Sequence, residues 1–188
     1  VGTLIAFTSM FFLGRVDPRI PMAFGFILQG LSGYYMAQFD VNLTTWGVGW
    51  TGFVQGIGVG FSWIPLSVIA FATLSPQMMN QGAAFFHLLR NIGSSIYISV
   101  SVVVLLHTAK VHYAISTEWV SIYNKIFDMS FVTGLWNHST ETGLAALSGE
   151  IQRQGLMIGY INAFNLFAVT SFLTVPFIFF LRVPKKKK

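Results

Sequence analysis

The placement of charge constrains this chain more than any other feature of its sequence. Four segments each run for about the thickness of a bilayer with almost no charged residue: 20–38, 46–74, 82–106 and 157–181. A fifth apolar segment, 1–13, is shorter. A hydrocarbon core about 30 Å thick is crossed by roughly 20 apolar residues of α-helix. The pattern therefore predicts an all-α, polytopic transmembrane helix bundle with four full spans and a truncated first span.

The composition supports this class and excludes others. Hydrophobic residues make up 54% of the chain and charged residues only 9%, whereas soluble domains carry roughly 25% charged residues. Four of the eleven basic residues form the terminal run Lys185–Lys188, which is typical of a cytoplasmic membrane anchor. Nucleic acid is therefore not an expected partner. The chain has no cysteine, which excludes disulfides and thiolate metal sites.

The distribution of Lys and Arg predicts the orientation of the spans. If the basic tail 182–188 lies in the cytoplasm, Arg15 and Arg19 also fall on that side. Residues 107–156 then form a long extracytoplasmic loop, in which apolar residues between Lys110 and Phe131 recur at helical spacing. This spacing predicts an amphipathic helix at the outer membrane surface. Because the chain begins without methionine inside an apolar run, we expect it to be part of a longer protein.

The third apolar segment carries glycines at helical spacing. Gly52, Gly56 and Gly60 share one helix face, where a neighbouring helix can approach closely. This face predicts either static helix packing or a smooth surface for sliding during a conformational change. Pro65 removes one backbone hydrogen bond and is expected to bend the helix. Gln55 lies among these glycines and is expected to face a cavity, because an amide is costly against lipid.

The fourth apolar segment contains His87, Arg90 and Asn91. An arginine at this depth costs on the order of 3 kcal/mol on insertion scales. Arg90 could join a gate or packing network, pairing with helix C-terminal carbonyls, or snorkel to the headgroups, or contact substrate. His87 could relay protons, because histidine is the side-chain type suited to proton transfer near neutral pH, although a buried, hydrogen-bonded state is the simpler expectation.

The last apolar segment carries Asn162 and Asn165 about one turn apart. They predict either interhelical amide hydrogen bonds or contacts with a substrate. No span contains Asp or Glu, so the buried carboxylate that proton-coupled transport normally uses must lie elsewhere in a longer protein. The chain also lacks a nucleophile–base pair, a P-loop and metal-ligand spacing. We therefore expect neither an enzyme nor a metal site.

Several strings resemble a known transporter family. The turn Gly14-Arg15-Val16-Asp17-Pro18-Arg19 resembles the degenerate second copy of the loop signature of the major facilitator superfamily. The strings at 55–66, 80–84, 89–95 and 153–164 are similar to those of its drug/proton antiporters of the EmrB/QacA type. The long outer loop before the last span fits the fourteen-helix branch of that family.

The resemblance implies the C-terminal part of a multidrug efflux antiporter in the cell inner membrane, with a cytoplasmic C-terminus. Its implied activity is export of hydrophobic or amphipathic compounds by alternating access, energised by the proton gradient and without a bound cofactor. Implied partners are the lipid bilayer, a periplasmic adaptor of the EmrA type and an outer-membrane channel. We expect Gln55, Asn162 and Asn165 to line the substrate path, and Arg15 and Arg90 to act in cytoplasmic gating.

Two other functions fit the residues. One is a facilitator that exports a specific metabolite or siderophore. The other is a membrane-embedded receptor or assembly subunit without transport activity.

Overall fold

A computed structural model describes residues 2, 4, 17–72, 74–121, 123–125, 136 and 140–181. The helices within these ranges are α1 (Arg19–Met36), α2 (Thr45–Phe71), a 3₁₀ turn (Pro76–Met78), α3 (Met79–Glu118) and α4 (Glu141–Phe180). These ranges contain no strand, and the all-α class is confirmed. Of the truncated first span, only Gly2 and Leu4 are described, and both are helical. Arg15 and the tail 182–188 lie outside the described residues.

Three of these helices, α2, α3 and α4, are long and apolar enough to cross a membrane. This confirms a membrane helix bundle as the fold class. The 18-residue α1 begins with Arg19 and carries Gln29 near its middle, and it is not among the three. The predicted number of four full spans therefore stays a prediction.

Local chemistry sets the ends of α2. At its start, the extended residue Thr44 accepts a hydrogen bond on its Oγ1 from the backbone N–H of Gly47, 3.3 Å away, which satisfies one donor of the first turn. The helix ends at Phe71, a few residues before Ser75 and Pro76 open the 3₁₀ turn. The residue before a proline is disfavoured in helical conformation, and Ser75 before Pro76 is extended, which separates α2 from α3.

Much of the segment 107–156, which was predicted to be an extracytoplasmic loop with an amphipathic helix, is helical. Each of α3 and α4 has 40 residues, which is about 60 Å of helix and twice the thickness of the hydrocarbon core. Residues 107–118 continue α3, and α4 begins at Glu141. The predicted amphipathic helix from Lys110 is thus not separate, because its first residues belong to α3 and 126–131 lie outside the described residues. Polar residues mark where a helix leaves lipid, but they do not end the helix. Because no Gly or Pro interrupts residues 94–118, α3 continues past the apolar segment.

The chain divides into two compact units, one of residues 1–99 with 164–188 and one of residues 100–163. The core of the larger unit joins α1 and α4 through Met22, Ala23 and Ile178, which are buried together. Leu66 and Ile69 of α2 pack against this core. The larger unit thus contains a three-helix body made by α1, α2 and α4.

The smaller unit is an antiparallel pair made by the later part of α3 and the earlier part of α4. The helices approach closely at two glycines of α4. A Cβ atom added to Gly159 would lie 2.5 Å from the carbonyl oxygen of Leu105, and one added to Gly155 would lie 3.0 Å from that of Ala109. Small residues at these positions let the two backbones come together without loss of packing.

Candidate functional site

The structure divides the predicted glycine face of α2. Gly52 is exposed, and a Cβ atom there would meet nothing within 4 Å. Gly60 is buried, and the carbonyl carbon of Gly56 lies 3.2 Å from the position of a Cβ added to Gly2. Close approach is thus found at Gly56 but not along the whole face. Pro65 lies within α2 as expected and is fully buried.

The helix α2 also approaches α1 closely, at Gly58, a glycine outside the predicted face. A Cβ atom added to Gly58 would lie 2.8 Å from the carbonyl oxygen of Gly25, and one added to Gly25 would lie 2.5 Å from Ser62 Oγ. The spacing that could have indicated this contact is present, since Gly58 and Ser62 are four residues apart.

Hydrogen bonds complete this α1–α2 seam, which comprises Gly25, Gln29, Ser32, Thr51, Gly58 and Ser62. Gln29 Nε2 donates to Ser62 Oγ at 2.8 Å, and Ser62 Oγ donates to the carbonyl oxygen of Gly58 at 2.9 Å. Ser32 Oγ donates to the carbonyl oxygen of Thr51 at 2.8 Å. Within a membrane such side-chain bonds replace contacts that lipid cannot offer. The seam therefore joins α1 and α2 by both packing and polar contacts.

The three residues expected to line a substrate path lie in different surroundings. In the larger unit, Gln55 is half-buried and Asn165 is exposed, and neither side chain forms a hydrogen bond within the described part of the chain. In the smaller unit, Asn162 Nδ2 donates to Thr108 Oγ1 at 3.3 Å. Asn162 thus makes an interhelical hydrogen bond, whereas no such bond is found for Gln55 or Asn165 among the described residues.

Arg90 packs on an aromatic cluster between α2 and α3. Its guanidinium carbon lies 4.9 Å from the ring centroid of Trp63, the geometry of a cation–π contact. The same side chain donates a long hydrogen bond of 3.4 Å to Asn91 Oδ1. Phe86 contacts the rings of Trp63, Phe71 and His87, with centroids 5.4–6.2 Å apart. We call these five residues (Trp63, Phe71, Phe86, His87 and Arg90) the Trp63 cluster. The contacts agree with the packing network expected for Arg90, but His87 is exposed within the described chain rather than buried.

Another arginine binds a carbonyl group at a helix C-terminus, which was one of the contacts considered for Arg90. Arg19, at the start of α1, donates from Nη2 to the carbonyl oxygen of Leu181, just beyond the end of α4. A cation at this end of a helix is stabilised by the helix dipole. Arg19 Nε is buried without an acceptor among the described residues. The sequence placed Arg19 on the cytoplasmic side by its charge, but its partner is far away in the chain and left no local signal.

Replacement of Arg19 is expected to loosen the contact between α1 and α4. Because hydrogen bonds to charged groups contribute about 1.5–3 kcal/mol, we expect Arg19→Gln to destabilise the protein by that amount. Arg19→Lys keeps the charge but not the planar fork, and should recover only part of the loss. Thermal unfolding in detergent measures both variants, with Lys110→Gln as a control at an exposed position of α3. Equal melting temperatures for Arg19→Gln and the control would contradict this role.

One ion pair lies in the part of α4 that precedes the predicted span. Arg153 donates to both carboxylate oxygens of Glu150 at 3.0 Å. These hydrogen bonds, with one from Gln154, hold the pKa of Glu150 below its ordinary value. Both groups are solvated, so the pair contributes little to stability. The described residues contain no cluster of three metal-ligating side chains.

Curated proteins of known name match nearly the whole chain. Multidrug export protein EmrB of Haemophilus influenzae is 27% identical over 173 residues, which cover 90% of this chain and 34% of the relative. Probable multidrug resistance protein EmrY of Escherichia coli is 21% identical, with 90% and 34% covered. Fatty acid resistance protein FarB of Neisseria gonorrhoeae is 20% identical, with 98% and 37% covered. The resemblance expected from the motifs is confirmed at this modest identity.

The chain spans about a third of the length of these relatives. No protein-family profile matches it, and no solved structure matches it.

Proposed function

We propose, from this homology to EmrB-type multidrug export proteins, that the chain is part of an inner-membrane multidrug efflux transporter. The observation that carries the proposal is the match to EmrB along 90% of the chain, in a protein with three helices able to cross a membrane. The transporter would export amphipathic compounds by proton-driven alternating access, with the C-terminus in the cytoplasm. The relatives are named as export and resistance proteins, which favours a transporter over an enzyme.

The body formed by α1, α2 and α4 suits the mechanical part of this cycle. The α1–α2 seam and the bond from Arg19 to the Leu181 carbonyl oxygen hold its helices together at separate points. Rocking transporters move such bodies as units around a central site. Because the apolar spans contain no Asp or Glu, the proton-binding carboxylate would come from another part of the transporter. Gln55 and Asn165 would line the substrate path, and Arg90 would act in the gate.

The paired ends of α3 and α4 suit the docking of a periplasmic adaptor. The contacts Leu105–Gly159 and Ala109–Gly155 set the two predicted span ends, near 106 and 157, at the same level of the pair. Beyond that level, 107–118 add about 18 Å of helix and 141–156 about 24 Å. A hydrogen bond of 2.9 Å between Tyr113 and Ser148 hydroxyls joins these extensions. We therefore assign the adaptor of the EmrA type, and through it the outer-membrane channel, to this helical hairpin.

Transport by the full-length protein in proteoliposomes tests the proposal. An imposed proton gradient is expected to drive uptake of several unrelated amphipathic compounds into inverted vesicles, and collapse of the gradient should abolish that uptake. The panel should include a long-chain fatty acid, because one relative is named for fatty acid resistance, and a siderophore. Movement of a single metabolite or siderophore would favour a facilitator. Absence of any proton-dependent flux would reject the transporter.

A further inference from the structure

Two chemically different faces of α3 are both exposed within the described chain. One face carries His87, Asn91 and Ser94, which recur at helical spacing and are all exposed. The opposite face carries large apolar side chains that are 49–65% exposed: Phe85, Leu89, Ile92, Ile96 and Val103. Lipid is a suitable neighbour for the second face but not for the first.

The polar groups of the first face are only partly satisfied by the protein. The Ser94 and Ser95 hydroxyls both donate to the carbonyl oxygen of Asn91 at 2.9 Å, so their hydrogen-bond donors are satisfied within α3. Arg90 has five N–H donors but uses one in a long hydrogen bond, besides its contact with Trp63. The amide N–H groups of Asn91 and the ring nitrogens of His87 find no partner among the described residues. Each unsatisfied group costs several kcal/mol in hydrocarbon.

Asn91 lies too deep in the membrane for its side-chain amide to form hydrogen bonds with the lipid headgroups. From the predicted span end at Gly82, Asn91 lies nine residues along the helix, which is about 14 Å into a core about 30 Å thick. The asparagine side chain is short and cannot reach the headgroup region from there. The amide therefore needs water or another polar surface at the middle of the membrane.

We propose that the polar face of α3, made by His87, Asn91 and Ser94, lines a water-filled pathway in the full transporter, while the opposite face contacts lipid. The inference rests on the proposed transport function, which supplies a reason for such a pathway. It assigns to Asn91 and Ser94 a place on the wall of the pathway. The cation of Arg90, held over Trp63, lies beside that wall.

Cysteine labelling tests this inference directly, because the chain has no cysteine of its own. Asn91→Cys and Ser94→Cys probe the polar face, and Ile92→Cys and Ile96→Cys probe the apolar face at nearly the same depth. Each is made in an otherwise cysteine-free full-length transporter and exposed in membrane vesicles to a charged, membrane-impermeant methanethiosulfonate. The polar positions are expected to react more than about tenfold faster. The cysteine thiolate attacks the sulfur of the reagent and displaces methanesulfinate, and this thiolate is favoured in water and disfavoured among apolar groups.

Equal, slow reaction at all four positions would overturn the inference, since it would mean that another helix covers the polar face. Equal, fast reaction would overturn it as well, because the apolar face would then be wet. Ser75→Cys, in the short link between α2 and α3, controls for insertion and reagent access in each preparation. Labelling needs no substrate and no gradient, so fast reaction at Asn91→Cys and Ser94→Cys without proton-dependent flux would reject the proposed function and leave the pathway standing.

Discussion

Adding a single methyl group at Gly58 or Gly25 is expected to disrupt the α1–α2 seam and to destabilise the protein by about 1–3 kcal/mol. A Cβ atom at Gly58 would lie 2.8 Å from the carbonyl oxygen of Gly25, and one at Gly25 would lie 2.7 Å from that of Gly58. These neighbours are backbone atoms, so no side-chain rotation can relieve the contact, and the helices must separate. Separation also lengthens the bond between Gln29 and Ser62. Thermal unfolding of Gly58→Ala and Gly25→Ala in detergent measures the loss.

The chain offers matched controls on the same helix. A Cβ atom at Gly49 or Gly52 of α2 would meet nothing within 4 Å. Because alanine favours a helix over glycine by about 1 kcal/mol, Gly49→Ala and Gly52→Ala should be neutral or slightly stabilising. If Gly52→Ala destabilised the protein more than Gly58→Ala, the contact with a neighbouring helix would lie on the face of Gly52, Gly56 and Gly60, and the seam would be wrong.

The choice between these two faces shows what the sequence could not decide. Glycines recur so often in α2 that Gly52, Gly56 and Gly60 define one small-residue face while Gly58 and Ser62 define another. Spacing predicts that close packing occurs, but only the partner helix determines which face is used. The partner residues Gly25 and Gln29 are more than thirty positions before Ser62, and no local pattern connects them.

The extents of the helices show a similar division. Segments 20–38 and 46–74 agree within three residues with α1 and α2, because apolar runs there end beside turn-forming residues. The segment 82–106 marks only the apolar part of α3, which continues to Glu118. Charge patterning reports the solvent around a helix, whereas its end depends on backbone hydrogen bonds and stop signals. The apolar segments therefore predicted where helices lie better than where they end.

Arg19 and Arg90 show how far the contacts of single residues can be predicted from the sequence. A contact with the carbonyl groups at a helix C-terminus was one of several that the sequence suggested for Arg90. The structure assigns that contact to Arg19, whose partner Leu181 is distant in the chain, and places Arg90 over Trp63. The type of contact could be predicted, but not which arginine makes it, because both depend on how the helices pack.

On the proposed function, Arg90→Ala is expected to abolish most of the drug resistance that the full-length protein would confer, without lowering its amount in the membrane. Arg90 is the only charged residue within the segments 20–38, 46–74, 82–106 and 157–181. Its cation–π contact with Trp63 joins α3 to α2. Such a contact contributes about 0.5–2 kcal/mol. If it forms in only one of two transporter states, its loss shifts the equilibrium between them by roughly 2- to 30-fold. Growth in a panel of amphipathic drugs measures the resistance. An immunoblot of the membrane fraction measures the amount of protein.

Three variants separate the contact from general damage. Removing a cation from a span relieves an insertion cost on the order of 3 kcal/mol. Arg90→Ala should therefore insert at least as well as the native protein. A loss of resistance then cannot be attributed to a smaller amount of protein. Arg90→Lys keeps a cation that can lie over the ring and should retain partial function, while Trp63→Leu, which keeps the arginine but removes the ring, should resemble Arg90→Ala. If Arg90→Ala left both resistance and protein amount unchanged, the gate role would be wrong. If Arg90→Ala lost function and Trp63→Leu did not, the charge of Arg90 would act on a group other than the Trp63 ring. The polar face of α3, which lies beside Arg90, would then be the next site to test.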